Sequence, residues 1–220
     1  MLVRHRMSAP PITIAPEVPV MDALQLMKEK NVRRLPVVDS KGRLVGIVSE
    51  KDLLRAAPSP ATALSIFEIT YLLHKLTVGE VMTREVVTVT ADTPLERAAR
   101  IMAERHLGGL PVMDGQQLVG IITETDILLG FSEALGAFEP GVRLTLEAPN
   151  RPGILATVVS KIHSLGGNIA SLTVMHGREP KSGYIVVKVQ GVRAGELADL
   201  LNNGTVSVVH VLEMAAQDLA

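Results

Sequence analysis

The sequence predicts a mixed α/β protein of three small modules, in which the first two modules are copies of one another. Three observations lead to this prediction. The chain has 220 residues, 47% of them hydrophobic, which suits two or three small cores better than one. A segment near the N-terminus recurs further along the chain. After residue 141 the hydrophobic pattern changes to the alternation typical of half-buried strands.

The repeat is clearest in residues 44–54, whose sequence LVGIVSEKDLL returns as LVGIITETDIL in residues 118–128. Upstream of this match, residues 7–39 align with residues 82–114 without a gap. The two copies are therefore predicted to share one fold.

Each copy is predicted to run strand, helix, strand, strand, helix, with its helices on one face of a small sheet. Pro19 and Pro94 suit the first position of the first helix, because an N–H group would have no partner there. In the second copy, Thr93 and Glu96 have the spacing of a capping box. The predicted strands are 12–14, 35–38 and 44–48, with 87–89 opening the second copy, and the final helices begin at Ser49 and Thr123.

The segment between the copies is predicted to be a linker helix. Pro58 and Pro60 interrupt the chain, after which Leu64, Phe67 and Leu72 recur at mostly helical intervals within residues 57–76. A helix with one apolar stripe buries that stripe, here against the two copies or across a dimer.

The last third is a different module, predicted to have the ferredoxin-like order βαββαβ. Alternating or short apolar runs mark its strands, and its first helix ends in Gly166-Gly167, as helices commonly do. The predicted strands are 142–148, 169–175, 184–189 and 206–212, and the predicted helices are 154–165 and 196–201.

Composition argues against several classes of function. Aromatic residues make up 2% of the chain and the formal net charge is −1, so the stacking platforms and basic surface of a nucleic-acid binder are missing. The absence of cysteine excludes disulfides and thiolate chemistry. The basic N-terminus lacks the apolar run of a signal peptide, and no apolar run approaches the ~18 residues of a membrane span. A cytoplasmic protein without a membrane partner is therefore expected.

The repeated Gly-Ile-apolar-Ser/Thr-Glu-x-Asp segment, with its upstream Leu-Pro-Val strand, resembles the CBS domain pair, or Bateman module. Such pairs bind AMP, ATP, S-adenosylmethionine or related compounds, so the resemblance implies an adenosine nucleotide as a regulatory ligand. The C-terminal third resembles an ACT domain, which implies amino-acid binding between two copies. The whole order is similar to the acetoin-utilisation B family of regulatory proteins. The implied domains are CBS 1 at 1–56, a linker helix at 57–76, CBS 2 at 77–135 and the ACT domain at 141–214.

Ser49 and Asp52 are the residues of the first copy that suit a nucleotide. A helix begins here where a strand ends, so free backbone N–H groups favour an anion, and the Ser49 hydroxyl joins them on a phosphate oxygen. Asp52 lies one turn further and accepts hydrogen bonds from the ribose hydroxyls. The resemblance assigns the same roles to Thr123 and Asp126. The same spacing is also a helix cap that needs no ligand.

Cations distinguish the two copies. Arg33, Arg34 and Lys51 can neutralise phosphates, so a phosphorylated ligand is expected at the first copy. The second site is expected to be empty or to take a less charged ligand, and the alternative for the arginines is a solvated surface pair. The corresponding residues of the second copy are Gly108, Gly109 and Thr125. The candidate nucleotide-binding residues are Ile12, Thr13, Arg33, Arg34, Leu35, Pro36, Ser49, Lys51, Asp52, Val87, Thr88, Gly109, Leu110, Pro111, Thr123 and Asp126.

In the third module, the segment 150–153 opens a helix directly after a strand, so its N–H groups suit the carboxylate of an amino acid. Asn150 and Asn168 offer amide groups to the ammonium or the side chain of that ligand. ACT-like families usually carry Asp at the position of Asn150, and the missing negative charge makes a purely dimerising role the alternative. The candidate amino-acid-binding residues are Asn150, Arg151, Gly153, Ile154, Leu155, Asn168 and Ile169.

Catalytic and metal-binding patterns are missing from the sequence. Its six histidines are scattered, and it contains no nucleophile elbow, phosphate loop or metal-ligand spacing. The sequence therefore predicts a homodimeric regulatory sensor without enzymatic activity or catalytic cofactor, acting on an unidentified protein of acetoin utilisation or energy metabolism. Two alternatives are a dimerisation protein with vestigial ligand sites and an enzyme of unrecognised type.

Overall fold

The computed structural model describes residues 1–56, 75–177, 182–215 and 217. The chain divides into two compact units, Met1–Leu128 and Leu129–Ala220. The linker helix predicted at 57–76 lies almost entirely outside the described residues. Among the helices that are described, none is both long enough and apolar enough to cross a membrane.

The first unit contains both repeats except the second half of the last helix, and each repeat forms a small sheet with helices packed against it. A 3₁₀ turn at Val3–His5 precedes the first repeat. The elements of the first repeat are α1 (Val20–Glu29), β1 (Arg34–Val38), β2 (Leu44–Ser49) and α2 (Glu50–Ala56). Those of the second are α3 (Val78–Val81), β3 (Val89–Thr90), α4 (Leu95–Arg105), β4 (Gly109–Asp114), β5 (Gln117–Thr123) and α5 (Glu124–Ala134).

Both predicted hairpins are confirmed, because β1 pairs antiparallel with β2 and β4 pairs antiparallel with β5. The strand predicted at residues 12–14 shortens to a parallel bridge between Ile14 and Val37. In the second repeat the equivalent segment forms β3, which is two residues long and runs parallel to β4. Both repeats thus keep the parallel pairing with the first strand of the hairpin, but over only one or two residues.

The first helix of each repeat begins one residue later than predicted. Pro19 and Pro94 are the residues before the first helical turn rather than its first members. The predicted capping box of Thr93 and Glu96 is wrong. Thr93 Oγ1 instead accepts a hydrogen bond from the Thr90 amide at 3.1 Å, which closes the turn that precedes α4. A threonine in a turn satisfies backbone groups locally as readily as it caps a helix.

The opening segment of each repeat packs on the other repeat. Val3 is fully buried, and its amide donates to the Thr93 carbonyl of the second repeat at 2.9 Å. Val78 is fully buried in the core of the first repeat, where its amide donates to the Val18 carbonyl at 2.9 Å. Each repeat is therefore completed by a segment that lies beside the other repeat in the sequence.

Two glycines at equivalent positions permit this exchange. A Cβ at Gly46 in β2 would lie 3.1 Å from the Thr83 carbonyl oxygen. A Cβ at Gly120 in β5 would lie 3.0 Å from the Ser8 carbonyl oxygen. Side chains of the exchanged segments, Met82 at Gly46 and Met7 at Gly120, stand at least as close as these oxygens, so a side chain at either glycine would require the exchanged segment to move. The accompanying backbone bridges join Ile47 to Thr83 and Ser8 to Ile121.

The second unit confirms the predicted order βαββαβ. Its elements are β6 (Gly141–Pro149), α6 (Ile154–Ser164), β7 (Asn168–His176), β8 (Ser182–Gln190), α7 (Ala194–Leu201) and β9 (Ser207–Met214). The four antiparallel strands lie in the order β7-β8-β6-β9, and Leu144, Leu146 and Val187 are buried in one core with Ile162 of α6. Gly166 takes a positive φ of 72° just after that helix, as the Gly-Gly pair predicts.

Residues 135–139, here called the strap, follow α5 and lie on the sheet of the second unit. Lys188 in β8 is 2% exposed, and its Nζ donates to the carbonyl oxygens of Gly136 at 2.7 Å and Glu139 at 2.6 Å. Ser171 Oγ in β7 donates to the Leu135 carbonyl oxygen at 3.0 Å. The strap is therefore held by side chains of two neighbouring strands.

Because of Lys188, the free energy of unfolding of the second unit is expected to change with pH in the alkaline range. Burial lowers its pKa below the ordinary 10.5 and Arg143 lowers it further, against a smaller opposing effect of Glu139. Between the folded and unfolded pKa values the unfolded chain binds more protons, so the free energy of unfolding rises as the pH increases through that window. We expect the stability of the wild type relative to Lys188→Met to increase there, as measured by denaturant unfolding at successive pH values. A relative stability that stays flat or decreases contradicts this expectation.

Candidate functional site

A cleft of about 450 Å³ lies in the first unit and is lined by residues of both repeats. The first repeat contributes the two arginines at the start of β1, the end of β2 and one face of α2. The second repeat contributes residues 85–87, residues 106–109 and the first turn of α5. This volume is in the range of small-molecule sites, and its lining is rich in charged side chains.

Ser49 and Asp52 form a closed hydrogen-bonded pair at the start of α2. The Ser49 amide and hydroxyl donate to Asp52 Oδ2 at 2.9 and 2.6 Å, and the Asp52 amide donates to Ser49 Oγ at 3.3 Å. Thr123 and Asp126 repeat this arrangement at the start of α5, with distances of 2.8, 2.6 and 3.4 Å. Both motifs are helix caps here, and both caps use Oδ2 of the aspartate and leave its Oδ1 out of the cap.

The two arginines of the first repeat reach across to the second. Arg33 Nη2 donates to Thr125 Oγ1 at 3.4 Å, and Arg34 Nη2 lies 4.0 Å from Glu124 Oε2. At that separation Glu124 does not hold Arg34 by a direct hydrogen bond. A Cβ at Gly108 would overlap the Arg34 guanidinium, so the guanidinium can lie here only because residue 108 has no side chain. The positions at which the two copies differ therefore meet in one cleft.

Other residues that line the cleft were not predicted from the sequence. Arg55 follows Lys51 by one helical turn on α2, so both cations lie on the same face of the helix. This spacing could have predicted Arg55 from the sequence. His106 ends α4 in the left-handed conformation with φ +54°, which no local pattern identifies. Glu85 belongs to the second repeat and reaches the cleft because the repeats exchange their opening segments. The lining thus combines basic and acidic side chains.

The structure brings together part of the predicted nucleotide site. Leu35 and Leu110 are fully buried, because β1 and β4 are covered on both faces and only their first residues reach the cleft. Ile12 packs on the core of the first repeat. Of the predicted residues, those that line the cleft are Arg33, Arg34, Ser49, Lys51, Asp52, Val87 and Gly109. Those outside its lining are Ile12, Thr13, Leu35, Pro36, Thr88, Leu110, Pro111, Thr123 and Asp126.

A much smaller pocket lies in the second unit, where β6 meets α6. Its volume of about 60 Å³ is far below that of the cleft in the first unit. Within one copy Asn150 and Asn168 do not share a site, because Asn168 pairs with Gln190 at the far end of β8 and donates to its Oε1 at 3.2 Å. The predicted residues lining the pocket are Asn150, Arg151, Ile154 and Leu155, whereas Gly153, Asn168 and Ile169 lie outside it.

Two family models match the chain. A CBS domain model matches residues 3–59 and 78–133, slightly more than half of the chain. A model of the AHAS small subunit-like ACT domain matches residues 144–202.

Two curated relatives share the CBS part. L-aspartate semialdehyde sulfurtransferase of Methanocaldococcus jannaschii is 34% identical over 127 residues, which make up 57% of this chain and 22% of that enzyme. A CBS domain-containing protein of Dictyostelium discoideum is 34% identical over 128 residues, or 58% of this chain and 88% of that protein. The chain therefore spans less than a quarter of the sulfurtransferase and most of the Dictyostelium protein.

Two solved structures are similar over the same part. The CBS domain pair of protein MJ0100, in complex with 5′-methylthioadenosine and S-adenosyl-L-methionine, has a TM-score of 0.51 at 33% identity, covering 60% of this chain and 96% of that chain. AcuB of Vibrio cholerae, a protein assigned to acetoin utilization, has a TM-score of 0.52 at 31% identity, covering 62% of this chain and 96% of that chain.

Proposed function

Because this chain belongs to the CBS-domain family, with two tandem CBS domains followed by an ACT-like domain, we propose that it is a non-catalytic regulatory sensor of adenosine compounds. The observation that carries this proposal is the cleft of the first unit, where the cap of α2, the cations of the first repeat and residues 85–87 of the second converge. The ligands of the related MJ0100 pair, 5′-methylthioadenosine and S-adenosylmethionine, support an adenosine group as the common element.

The cleft offers a distinct partner to each part of a nucleotide. The backbone of residues 85–87 suits the edge of the base, and Asp52 Oδ1 suits the ribose hydroxyls. The guanidinium groups of Arg33 and Arg34 suit the phosphate, because arginine binds phosphate oxygens through two parallel hydrogen bonds. Lys51 and Arg55 add positive charge on the same side.

One phosphorylated ligand per chain is the proposed stoichiometry. The second repeat has Gly108, Gly109 and Thr125 where the first has two arginines and a lysine, and Arg34 extends over Gly108. The cations of the module therefore serve the site that contains Asp52. The equivalent site at Asp126 is proposed to be empty or to take an uncharged adenosine compound.

Arg34→Ala tests the role of the cations. We expect it to weaken AMP binding roughly 10- to 150-fold, because a hydrogen bond to a charged group contributes about 1.5–3 kcal/mol. The affinity for 5′-methylthioadenosine, which has no phosphate, should hardly change. Isothermal titration of both ligands measures this difference. Arg43→Ala is the matched control, since Arg43 pairs with Asp39 at 2.7 Å in the turn between β1 and β2 and does not line the cleft.

Two outcomes of these titrations would contradict the proposal. An equal loss for AMP and 5′-methylthioadenosine would show that Arg34 does not serve the phosphate. If the wild type binds none of AMP, ATP, 5′-methylthioadenosine and S-adenosylmethionine, the protein is a dimerisation protein with vestigial sites. The closed caps at Ser49 and Thr123, which satisfy themselves without a ligand, are the observation that favours this second candidate.

The ACT-like domain is proposed to form a homodimer in which the partner completes an amino-acid site. Leu155 and Val174 support this, since both line the small pocket and are 39% and 51% exposed. Sedimentation equilibrium with and without amino acids tests the homodimer. A cytoplasmic location and a target in acetoin or energy metabolism remain proposals, the latter supported by the similarity to AcuB.

A further inference from the structure

The carboxylate of Glu124 lies beside the guanidinium of Arg34, and both groups lie over Gly108. A Cβ at Gly108 would overlap the Arg34 guanidinium and would lie 2.9 Å from Glu124 Oε2. Arg34 Nη2 and Glu124 Oε2 are 4.0 Å apart, and the two side chains are 26% and 63% exposed. A phosphate that binds Arg34 therefore has a carboxylate as its neighbour.

The backbone at the start of α5 fixes the position of Glu124. The Glu124 amide donates to the Gly108 carbonyl at 3.2 Å, and the Thr123–Asp126 cap closes the same turn. In the first repeat the Glu50 amide donates to the Arg33 carbonyl at 3.0 Å in the same way. The fold of the repeat therefore places the Glu124 side chain at the cleft whether or not a ligand is bound.

The charged side chains that line the cleft are balanced. Four are cations and four are carboxylates, so their formal charges cancel when His106 is neutral. A phosphate monoester carries a charge of about −1.5 to −2 at pH 7, which suits a pair of arginines. Each further phosphate adds negative charge that this lining does not compensate. The cations are Arg33, Arg34, Lys51 and Arg55, and the carboxylates are those of Glu50, Asp52, Glu85 and Glu124.

We infer that Glu124 limits the negative charge that the cleft accepts, so that the cleft selects a nucleoside monophosphate over the corresponding diphosphate and triphosphate. The inference rests on the proposed function and deepens it by naming the residue that sets the choice. Like charges repel one another at distances below the screening length, which is about 8 Å at physiological salt. The repulsion from Glu124 grows with each phosphate, whereas Arg33 and Arg34 bind the phosphate next to the ribose.

Isothermal titration of adenosine, AMP, ADP and ATP without divalent cations tests this selection. The wild type is expected to bind AMP more tightly than ATP. Glu124→Gln keeps the size of the side chain and removes its charge. It should strengthen AMP binding about 2-fold and ATP binding about 5-fold, since exposed charge pairs have effects of this order. Adenosine has no phosphate and should bind equally to both proteins.

Glu124→Lys extends the series by reversing the charge. The ratio of AMP affinity to ATP affinity should decrease from the wild type to Glu124→Gln and again to Glu124→Lys. Glu104→Gln is the matched control, because Glu104 is 65% exposed, lies 3.6 Å from Arg100 Nε on α4 and does not line the cleft. This control should keep the wild-type ratio.

Two results would overturn the inference: a wild type that binds ATP at least as tightly as AMP, or the same affinity ratio in the wild type and both variants. Circular dichroism shows whether the variants are folded. If Glu124→Lys is not, the decision falls to Glu124→Gln, which changes a largely exposed side chain without changing its size. A wild type that binds none of these compounds would instead refute the proposed function, and the inference with it.

Discussion

Gly108→Leu is expected to abolish AMP binding within the range of titration calorimetry. The position has no side chain of its own, and Arg34 fills the space where a Cβ would stand. A leucine would expel the guanidinium and occupy part of the 450 Å³ cleft, so the phosphate partner and the room for the ligand are lost together. The loss of AMP affinity should exceed that caused by Arg34→Ala, because that substitution removes the cation but leaves the cleft open. Affinity for 5′-methylthioadenosine should also fall, in contrast to Arg34→Ala.

Gly195→Leu is the matched control for this substitution. Gly195 lies in α7 of the second unit, where a Cβ would have no neighbour within 4 Å. It should bind AMP like the wild type, and circular dichroism should show both variants folded. Normal AMP affinity in a folded Gly108→Leu protein would mean that the ligand does not use this cleft.

Val78→Asp is expected to destabilise the first repeat by about 4 kcal/mol or more. Val78 follows the first repeat in the sequence, yet it is fully buried in the core formed by α1, β1, β2 and α2. A carboxylate there has no partner for its charge, and buried unpaired charges are among the most destabilising changes known. Denaturant unfolding measures the loss, and hydrogen exchange should show it in residues 20–29 as well as near residue 78.

Leu54→Asp is the control, because it adds the same carboxylate to α2 at a position that is 57% exposed. Surface substitutions of this kind usually change stability by less than about 0.5 kcal/mol. Similar stabilities for the two variants would contradict the exchange of segments between the repeats. Increased exchange confined to residues near 78 would likewise show that this segment is not part of the core.

The ACT-like domain was predictable element by element, whereas the opening of each repeat was not. The strands and helices of the second unit follow hydrophobic periodicities that arise within each segment, and the Gly166 terminus is a local signal. The strand expected at 12–14 and the capping box of Thr93 and Glu96 failed. The strand depended on pairing with a segment distant in the chain, and the capping box on a neighbouring threonine whose amide binds Thr93 Oγ1 instead.

The amino-acid site of the third module shows a different limit. Asn150 and Asn168 both stand at ends of predicted strands, and the sequence does not say which ends meet. The antiparallel register of β6, β7 and β8 places them at opposite ends of the sheet. Which strands pair, and in which register, is determined by the whole sheet, so it cannot be predicted from the residue pattern of a single strand.

By itself the sequence determined the two CBS copies, their Ser49–Asp52 and Thr123–Asp126 motifs, and the concentration of positive charge in the first copy. These follow from residue types and spacings within short segments. The tertiary structure decided that both copies share one cleft, that Arg34 occupies the space left by Gly108, and that Lys188 anchors the strap. Each of these depends on contacts between residues far apart in the chain, which no pattern within a short segment can specify.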